Sequence, residues 1–359
     1  MVVMLADAAP RDQHVATNTS WPPGRAGSAA NVRHMPPGFP EPRMVTLPDR
    51  GFGPIDMAVH ELGNGPAVVF SHGFPELAYS WRHQLPATAA AGFHAIAPDQ
   101  RGYGDTSAPE PIEAYSLDEL CGDLASLCDA LEIDRAVFVG HDWGGAVVWA
   151  MPTLHPERVA GIVGVCTPFM ALPGTDFLKA LVDGDVERQY MLWFQEPGVA
   201  EAVLDPRAAL LFDKLMIGGV DPSVMAERAF ADGKLDMNPF RDLEGLGSIS
   251  EPCVPADERA HYAEVFGRTG FRGGINWYRN LDRNREAHPE LGTEDPGVPC
   301  LMICAEWDPA LPPALATGMP DRISDLEMLT IPKVGHWVQQ EAPDAVNAAL
   351  VDWLARRFR

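Results

Sequence analysis

Gly140-His141-Asp142-Trp143-Gly144-Gly145 puts an acidic side chain at the apex of a glycine-flanked turn. The run before it, Ala136 to Val139, is apolar and β-branched, too short for a helix and suited to a strand buried on both faces. Ala146 to Trp149 behind it is apolar and opens a helix. Strand, sharp turn and helix make the Gly-x-nucleophile-x-Gly elbow, whose glycines let neighbouring elements approach closely. Asp142 stands where a serine often does. A carboxylate is ionised at neutral pH, needs no base before it attacks, and gives an alkyl ester of the chain itself. The backbone N–H of Trp143 is placed to serve an oxyanion. The plain alternative is a glycine-rich turn with an exposed capping Asp, so the surroundings decide.

Two further loops supply partners. Val298 to Ala305 (VPCLMICA) reads as a buried strand and is followed by Glu306-Trp307-Asp308. Leu326 to Ile331 reads as the last strand, followed by Lys333-Val334-Gly335-His336-Trp337. Asp142, Asp308 and His336 thus occur in the order nucleophile, acid, histidine that an elbow fold requires. His336 is placed to activate water, and Asp308 to hold its tautomer and stabilise its charged form. Glu306 is the rival acid. The loop after Ala67 to Phe70, Ser71-His72-Gly73-Phe74-Pro75-Glu76, would supply a second oxyanion N–H, assigned to Phe74. His72 is expected to shape that turn, with a role as base the lesser alternative. The other histidines, His141 included, read as structural.

The elements that must position these groups alternate. Arg43 to Leu47 and Ile55 to Leu62 form a strand pair around Pro48-Asp49-Arg50-Gly51. Phe93 to Ala97 and Val159 to Val165 are buried strands, and Asp99 and Arg101 are expected to brace the loop after the first of them. Ser116-Leu117-Asp118-Glu119 reads as a capping box. Leu117, Leu120, Cys121, Leu124, Leu127, Cys128 and Leu131 follow at helical spacing. Strands alternating with helices predict an α/β fold, a mostly parallel sheet covered on both faces. After Pro168 the alternation stops, and Met, Phe, Trp and Tyr recur in helix-like segments broken by Pro and Gly. Residues 343 to 357 form a closing helix, whose C-terminal end suits Arg356, Arg357 and Arg359. The division expected is an irregular N-terminal arm over 1–42, a core over 43–168 and 297–359, and an inserted helical cap over 169–296.

Composition removes several classes of function. Lys+Arg 27 against Asp+Glu 50 leaves a net charge of −23, which disfavours nucleic acid and anionic membrane surfaces as partners. No apolar run reaches transmembrane length, and Asp7 interrupts the apolar start with no basic region before it, so no secretory signal is expected. Cys121, Cys128, Cys166, Cys253, Cys300 and Cys304 lack zinc-finger spacing and fit free thiols in a reducing cytoplasm. No metal site and no phosphate loop is expected.

His72-Gly73-Phe74-Pro75-Glu76, Asp99-Gln100-Arg101-Gly102-Tyr103-Gly104 and Gly140-His141-Asp142-Trp143-Gly144-Gly145, in that order, resemble the epoxide hydrolases of the α/β-hydrolase fold. The resemblance runs from about residue 43 to the C-terminus. It implies that Tyr190, in Tyr190-Met191-Leu192-Trp193-Phe194-Gln195-Glu196-Pro197-Gly198, and Tyr278, in Ile275-Asn276-Trp277-Tyr278-Arg279-Asn280, are the cap tyrosines that face the epoxide oxygen. A phenol is a neutral donor with a pKa near 10, able to hydrogen-bond an ether oxygen as charge builds on it. The family pattern also favours Asp308 over Glu306. The reading implied is a cofactor-free conversion of an epoxide and water to a vicinal diol through an ester on Asp142. The substrate would be small and hydrophobic, with Trp143, Phe169, Trp193 and Trp277 about it, in a monomer or homodimer. A haloalkane or haloacid dehalogenase is the neighbouring alternative, and a silent ligand-binding relative the alternative from another class. A serine esterase is disfavoured, since no serine occupies the elbow.

Overall fold

The computed structural model describes residues 38–359, with Ala231 left out. Most of the expected N-terminal arm, residues 1–37, lies outside the described residues. The framework is an eight-stranded sheet in the order β1-β2-β4-β3-β5-β6-β7-β8. The strands are β1 (Arg43–Leu47), β2 (Ile55–Leu62), β3 (Ala67–Ser71), β4 (His94–Pro98), β5 (Ala136–His141), β6 (Val159–Val165), β7 (Cys300–Ala305) and β8 (Leu326–Ile331). β1 runs antiparallel to β2 and β2 to β4, while every later pairing is parallel.

The central strands show why apolar, β-branched runs were required. Every residue of β3, β5 and β7 is buried, because helices cover the sheet. The helix Gln84–Ala90 packs with the closing helix Pro343–Arg357, and Leu117–Ala130 packs with Trp143–Leu154. The two edge strands are more open: β1 leaves three of its five residues exposed, and β8 is part-exposed or exposed along most of its length. The expected bounds of β1, β2, β6 and β8 agree with those found. β4 lies one residue later than expected, and β7 begins at Cys300, after Pro299.

The capping box does not form. Ser116 occupies the N-cap of Leu117–Ala130 but its side chain makes no capping hydrogen bond. Glu119 is drawn instead to the buried guanidinium of Arg101, 3.2 Å away. Charge pairing outweighs a single neutral cap bond here. Arg101 also grips Asp123 through two bonds of 2.7 and 2.6 Å and donates to the Ala114 carbonyl, so it braces its loop as expected.

Between β6 and β7 lies a long insertion of short helices, from Thr175–Leu181 to Leu281–Ala287, that adds no strand to the main sheet. It is tied to the sheet-side loops by ion pairs such as Arg268 to Asp105 at 2.9 Å and Arg283 to Glu113 at 3.4 Å. No helix among the described residues is long and apolar enough to cross a membrane.

Candidate active site

Asp142 sits where β5 gives way to the helix Trp143–Leu154, with φ of 50° and ψ of −123°. A non-glycine residue adopts that backbone only when its surroundings hold it there. They do so by close approach. A Cβ on Gly144 would lie 2.0 Å from the Ser71 carbonyl oxygen, and one on Gly140 would lie 2.2 Å from the Gly144 oxygen. Only glycine fits either place. The Thr167 hydroxyl donates to the Asp142 carbonyl at 2.7 Å and pins the turn from the loop after β6.

Three loops bring their groups to this carboxylate. The Phe74 N–H donates to Asp142 Oδ1 at 2.8 Å. Trp143 opens its helix, so its N–H has no intrahelical acceptor. His336 Nε2 lies 3.6 Å from Asp142 Oδ2, and its Nδ1 is 2.8 Å from Asp308 Oδ2. Asp308 is buried, and its Oδ1 accepts from the N–H groups of Ala310 and Leu311 at 2.8 and 2.9 Å. Burial alone would raise the Asp308 pKa, but His336 and those N–H donors hold it below the usual carboxylate range. Burial likewise works against a charged His336, and the facing carboxylates of Asp308 and Asp142 outweigh it, raising its pKa well above 6.5. Glu306 is exposed and accepts from the Lys333 N–H, so it stands apart from His336.

The two insertion tyrosines meet over the elbow. Tyr278, in the helix Arg272–Arg279, and Tyr190, in Tyr190–Trp193, have ring centres 5.6 Å apart. Tyr278 stands 5.1 Å from Trp143 and 5.3 Å from Phe74, the residues whose N–H groups flank Asp142. Burial first, and then the Asp142 charge, raises the Tyr190 pKa; burial and the neighbouring Tyr190 and Asp142 raise that of Tyr278. Both phenols therefore keep their protons at any physiological pH.

A family model of the α/β-hydrolase fold matches residues 66–343. Epoxide hydrolase A of Mycobacterium tuberculosis is 43% identical over 314 residues, covering 84% of this chain and 94% of the relative. Bifunctional epoxide hydrolase 2 of Sus scrofa is 39% identical over 82% of this chain, which spans 52% of that longer protein. The crystal structure of epoxide hydrolase A from Mycobacterium thermoresistibile superposes with a TM-score of 0.75 at 39% identity, covering 87% of this chain and 98% of the other. The chain belongs to the α/β-hydrolase family, among its epoxide hydrolases.

In this hydrolase the remaining candidates fall into different places. His72 is buried with both ring nitrogens engaged, Nε2 accepting from the Gln100 N–H and Nδ1 donating to the Gly73 carbonyl. Burial lowers its pKa, so it shapes the turn as a neutral ring. Trp277 is fully buried, with ring contacts to Tyr103 and Trp143 and its indole N–H toward the Arg101 carbonyl, so it backs Trp143. Phe169 packs on Trp149, and Trp193 against Phe194. His141, Cys166 and His336 hold possible metal-binding atoms within 4.8 Å of one another. However, His141 Nδ1 bonds to Glu76 at 2.7 Å and Nε2 to the His336 carbonyl at 2.8 Å, and His336 Nδ1 is held by Asp308, which leaves a metal little to bind.

Sequence reasoning passed over three residues. Glu76 is fully buried and accepts from His141, the Gly73 N–H at 3.0 Å and Gln339 at 2.8 Å, so one carboxylate ties the loops of Phe74, Asp142 and His336 together. Burial would raise its pKa, but His141 and the other donors take it down to about 2. Its place in the His-Gly-Phe-Pro-Glu motif was visible; its partners, scattered along the chain, were not. Phe194 and Phe240 pack beside Tyr190, with ring centres 5.6 and 5.4 Å from it. Phe194, four residues after Tyr190, lay within a quoted motif. Phe240 carried no signal.

Proposed function

We propose that Asp142 is the nucleophile of a two-step epoxide hydrolysis in which Tyr190 and Tyr278 polarise the oxirane oxygen. The single observation that carries this reading is the pair of phenols meeting above an aspartate whose Oδ1 is already engaged by a backbone N–H. That engagement leaves Oδ2 to attack one ring carbon from the face opposite the phenols. The C–O bond of the ring breaks, and the departing oxygen takes a proton from a phenol. The product is a hydroxyalkyl ester of Asp142.

His336 then acts on water. While Asp142 is charged, it helps hold His336 protonated. Esterification removes that charge, so the His336 pKa falls and the ring becomes a base. Asp308 fixes the orientation of the ring and stabilises the imidazolium that forms when it takes the proton. Hydroxide adds to the ester carbonyl, the oxyanion on Oδ1 is held by the Phe74 and Trp143 N–H groups, and collapse expels the diol with the proton from His336; the proton then left on the Asp142 carboxyl returns to the phenolate, restoring both groups. Residues 169–296 would act as the cap over a small, hydrophobic epoxide.

Oxygen labelling tests the scheme. A single turnover in heavy-oxygen water with enzyme in excess should give diol almost free of label, with the label in the peptide containing Asp142. Fully labelled first-turnover diol means that water attacks the epoxide directly, and removes Asp142 as nucleophile.

A further inference from the structure

The two phenols above Asp142 have different aromatic neighbours. Tyr278 is flanked by Trp143, with ring centres 5.1 Å apart at 86°. Tyr190 is flanked by Phe240, with ring centres 5.4 Å apart. Phe240 also lies 6.0 Å from Phe74 and 5.2 Å from Phe194, and it is only 7% exposed. Its ring thus packs against Tyr190, Phe194 and Phe74.

Phe240 belongs to no helix or strand, so specific bonds must hold it. Asn238, itself 7% exposed, supplies them: its Oδ1 accepts from the Phe240 N–H at 3.1 Å, and its Nδ2 donates to the Glu187 carbonyl at 2.8 Å. The Met237 N–H donates to the Arg188 carbonyl at 2.6 Å, and Arg241 reaches the same Glu187 carbonyl at 2.8 Å. The stretch bearing Phe240 is therefore stapled to the stretch that leads into Tyr190. Wall and phenol are held as one piece, and the ring has little freedom to swing aside for a ligand.

We propose that Phe240 is a specificity-determining residue that limits substituents on the Tyr190 side of the bound oxirane. The inference rests on the roles proposed for Asp142, Tyr190 and Tyr278. With the ring oxygen held by the phenols and one carbon presented to Asp142, substituents on the two carbons project toward opposite walls. A bulky group on the Tyr190 side needs the volume that Phe240 fills. The substrate class favoured is therefore an epoxide substituted at one carbon, over one with aryl groups on both.

The test compares kcat/KM for styrene oxide and trans-stilbene oxide in the wild type, Phe240→Ala, Phe240→Leu and Asn238→Ala. Wild type should favour styrene oxide at least ~10-fold, within what a shaped apolar pocket can discriminate. Phe240→Ala should shrink that preference at least ~10-fold, Phe240→Leu by a smaller factor in the same direction, and Asn238→Ala likewise by loosening the wall. Melting temperatures show which variants are folded, and Phe240→Leu keeps the comparison open should the alanine variant unfold. A preference unchanged in folded Phe240→Leu and Asn238→Ala overturns the wall, as does a wild type that favours trans-stilbene oxide. A wild type that opens neither epoxide overturns the proposed chemistry itself, and the wall with it.

Discussion

His336 faces the oxygen of Asp142 that Phe74 leaves free, at 3.6 Å from Nε2 to Oδ2, while Asp308 holds its other nitrogen at 2.8 Å. In the proposed scheme the imidazole thus stands beside Asp142 without being needed to deprotonate it. Ester formation and ester hydrolysis then depend on different residues. His336→Gln should form the ester and stall. Intact mass after mixing with epoxide should rise by one substrate, and peptide mapping should place the addition between Gly140 and Gly145. A folded variant that binds epoxide yet stays unmodified counts against the scheme.

In the proposed scheme the phenols act earlier. Tyr190→Phe or Tyr278→Phe should slow ester formation while leaving measurable turnover, because the other donor remains. One lost donor of this kind costs about 3 kcal/mol at most, roughly a hundredfold in rate. The double variant should show almost no ring opening in a stopped-flow single turnover. Wild-type rates in the double variant would remove both tyrosines from the chemistry.

A pH dependence follows from the charges around His336. In the free enzyme its pKa is raised well above 6.5, because Asp308 and Asp142 together outweigh the cost of burial. Esterified Asp142 carries no charge, so the hydrolysis step should gain its active, neutral histidine at a lower pH than the free enzyme loses its proton. Ester decay followed across pH in single turnovers should show its rising limb below the His336 titration seen by NMR in the free enzyme. Coincident midpoints would refute the coupling. The same raised pKa favours folding at pH below 6.5, and that contribution fades as pH climbs through the folded value.

Tyr103 makes a separate prediction about stability. Its ring is 1% exposed and its hydroxyl is buried without a hydrogen-bond partner among the described residues. A buried polar group left unpaired costs about 1–3 kcal/mol. Tyr103→Phe keeps the ring contacts to His72 and Trp277 and removes only the orphan hydroxyl. Urea unfolding should show the variant as stable as wild type or about 1 kcal/mol more so; a clear loss would mean the hydroxyl has a bonded partner.

Legibility in the sequence followed the range of the physical signal. β6 could be bounded from local pattern, because a short apolar, β-branched run has few other uses. The elbow was legible from its glycine spacing, although the Ser71 carbonyl that Gly144 must clear lies far off in sequence. The Glu119 cap failed because a guanidinium from a distant loop competed for the carboxylate, and the motif contains no trace of Arg101. Glu76 was in plain view, but its meaning lies in His141 and Gln339, 65 and 263 residues away. Phe240 was beyond reach altogether, since irregular backbone has no period and its place is set by Asn238 and Glu187.

The insertion between β6 and β7 also orders events during synthesis. The elbow, the Phe74 loop and six strands of the sheet are made before it, whereas β7, β8, Asp308 and His336 come after. Until the last strands emerge, the side of β6 that pairs with β7 has no ladder partner, and the loop that must close spans the entire insertion. The closure penalty grows only logarithmically with loop length, so the delay is one of sequence and time more than of equilibrium. A nascent chain therefore holds Asp142 well before it holds Asp308 and His336. On the proposed scheme such an intermediate could be alkylated but not regenerated, and turnover would begin only when the C-terminal segment docks.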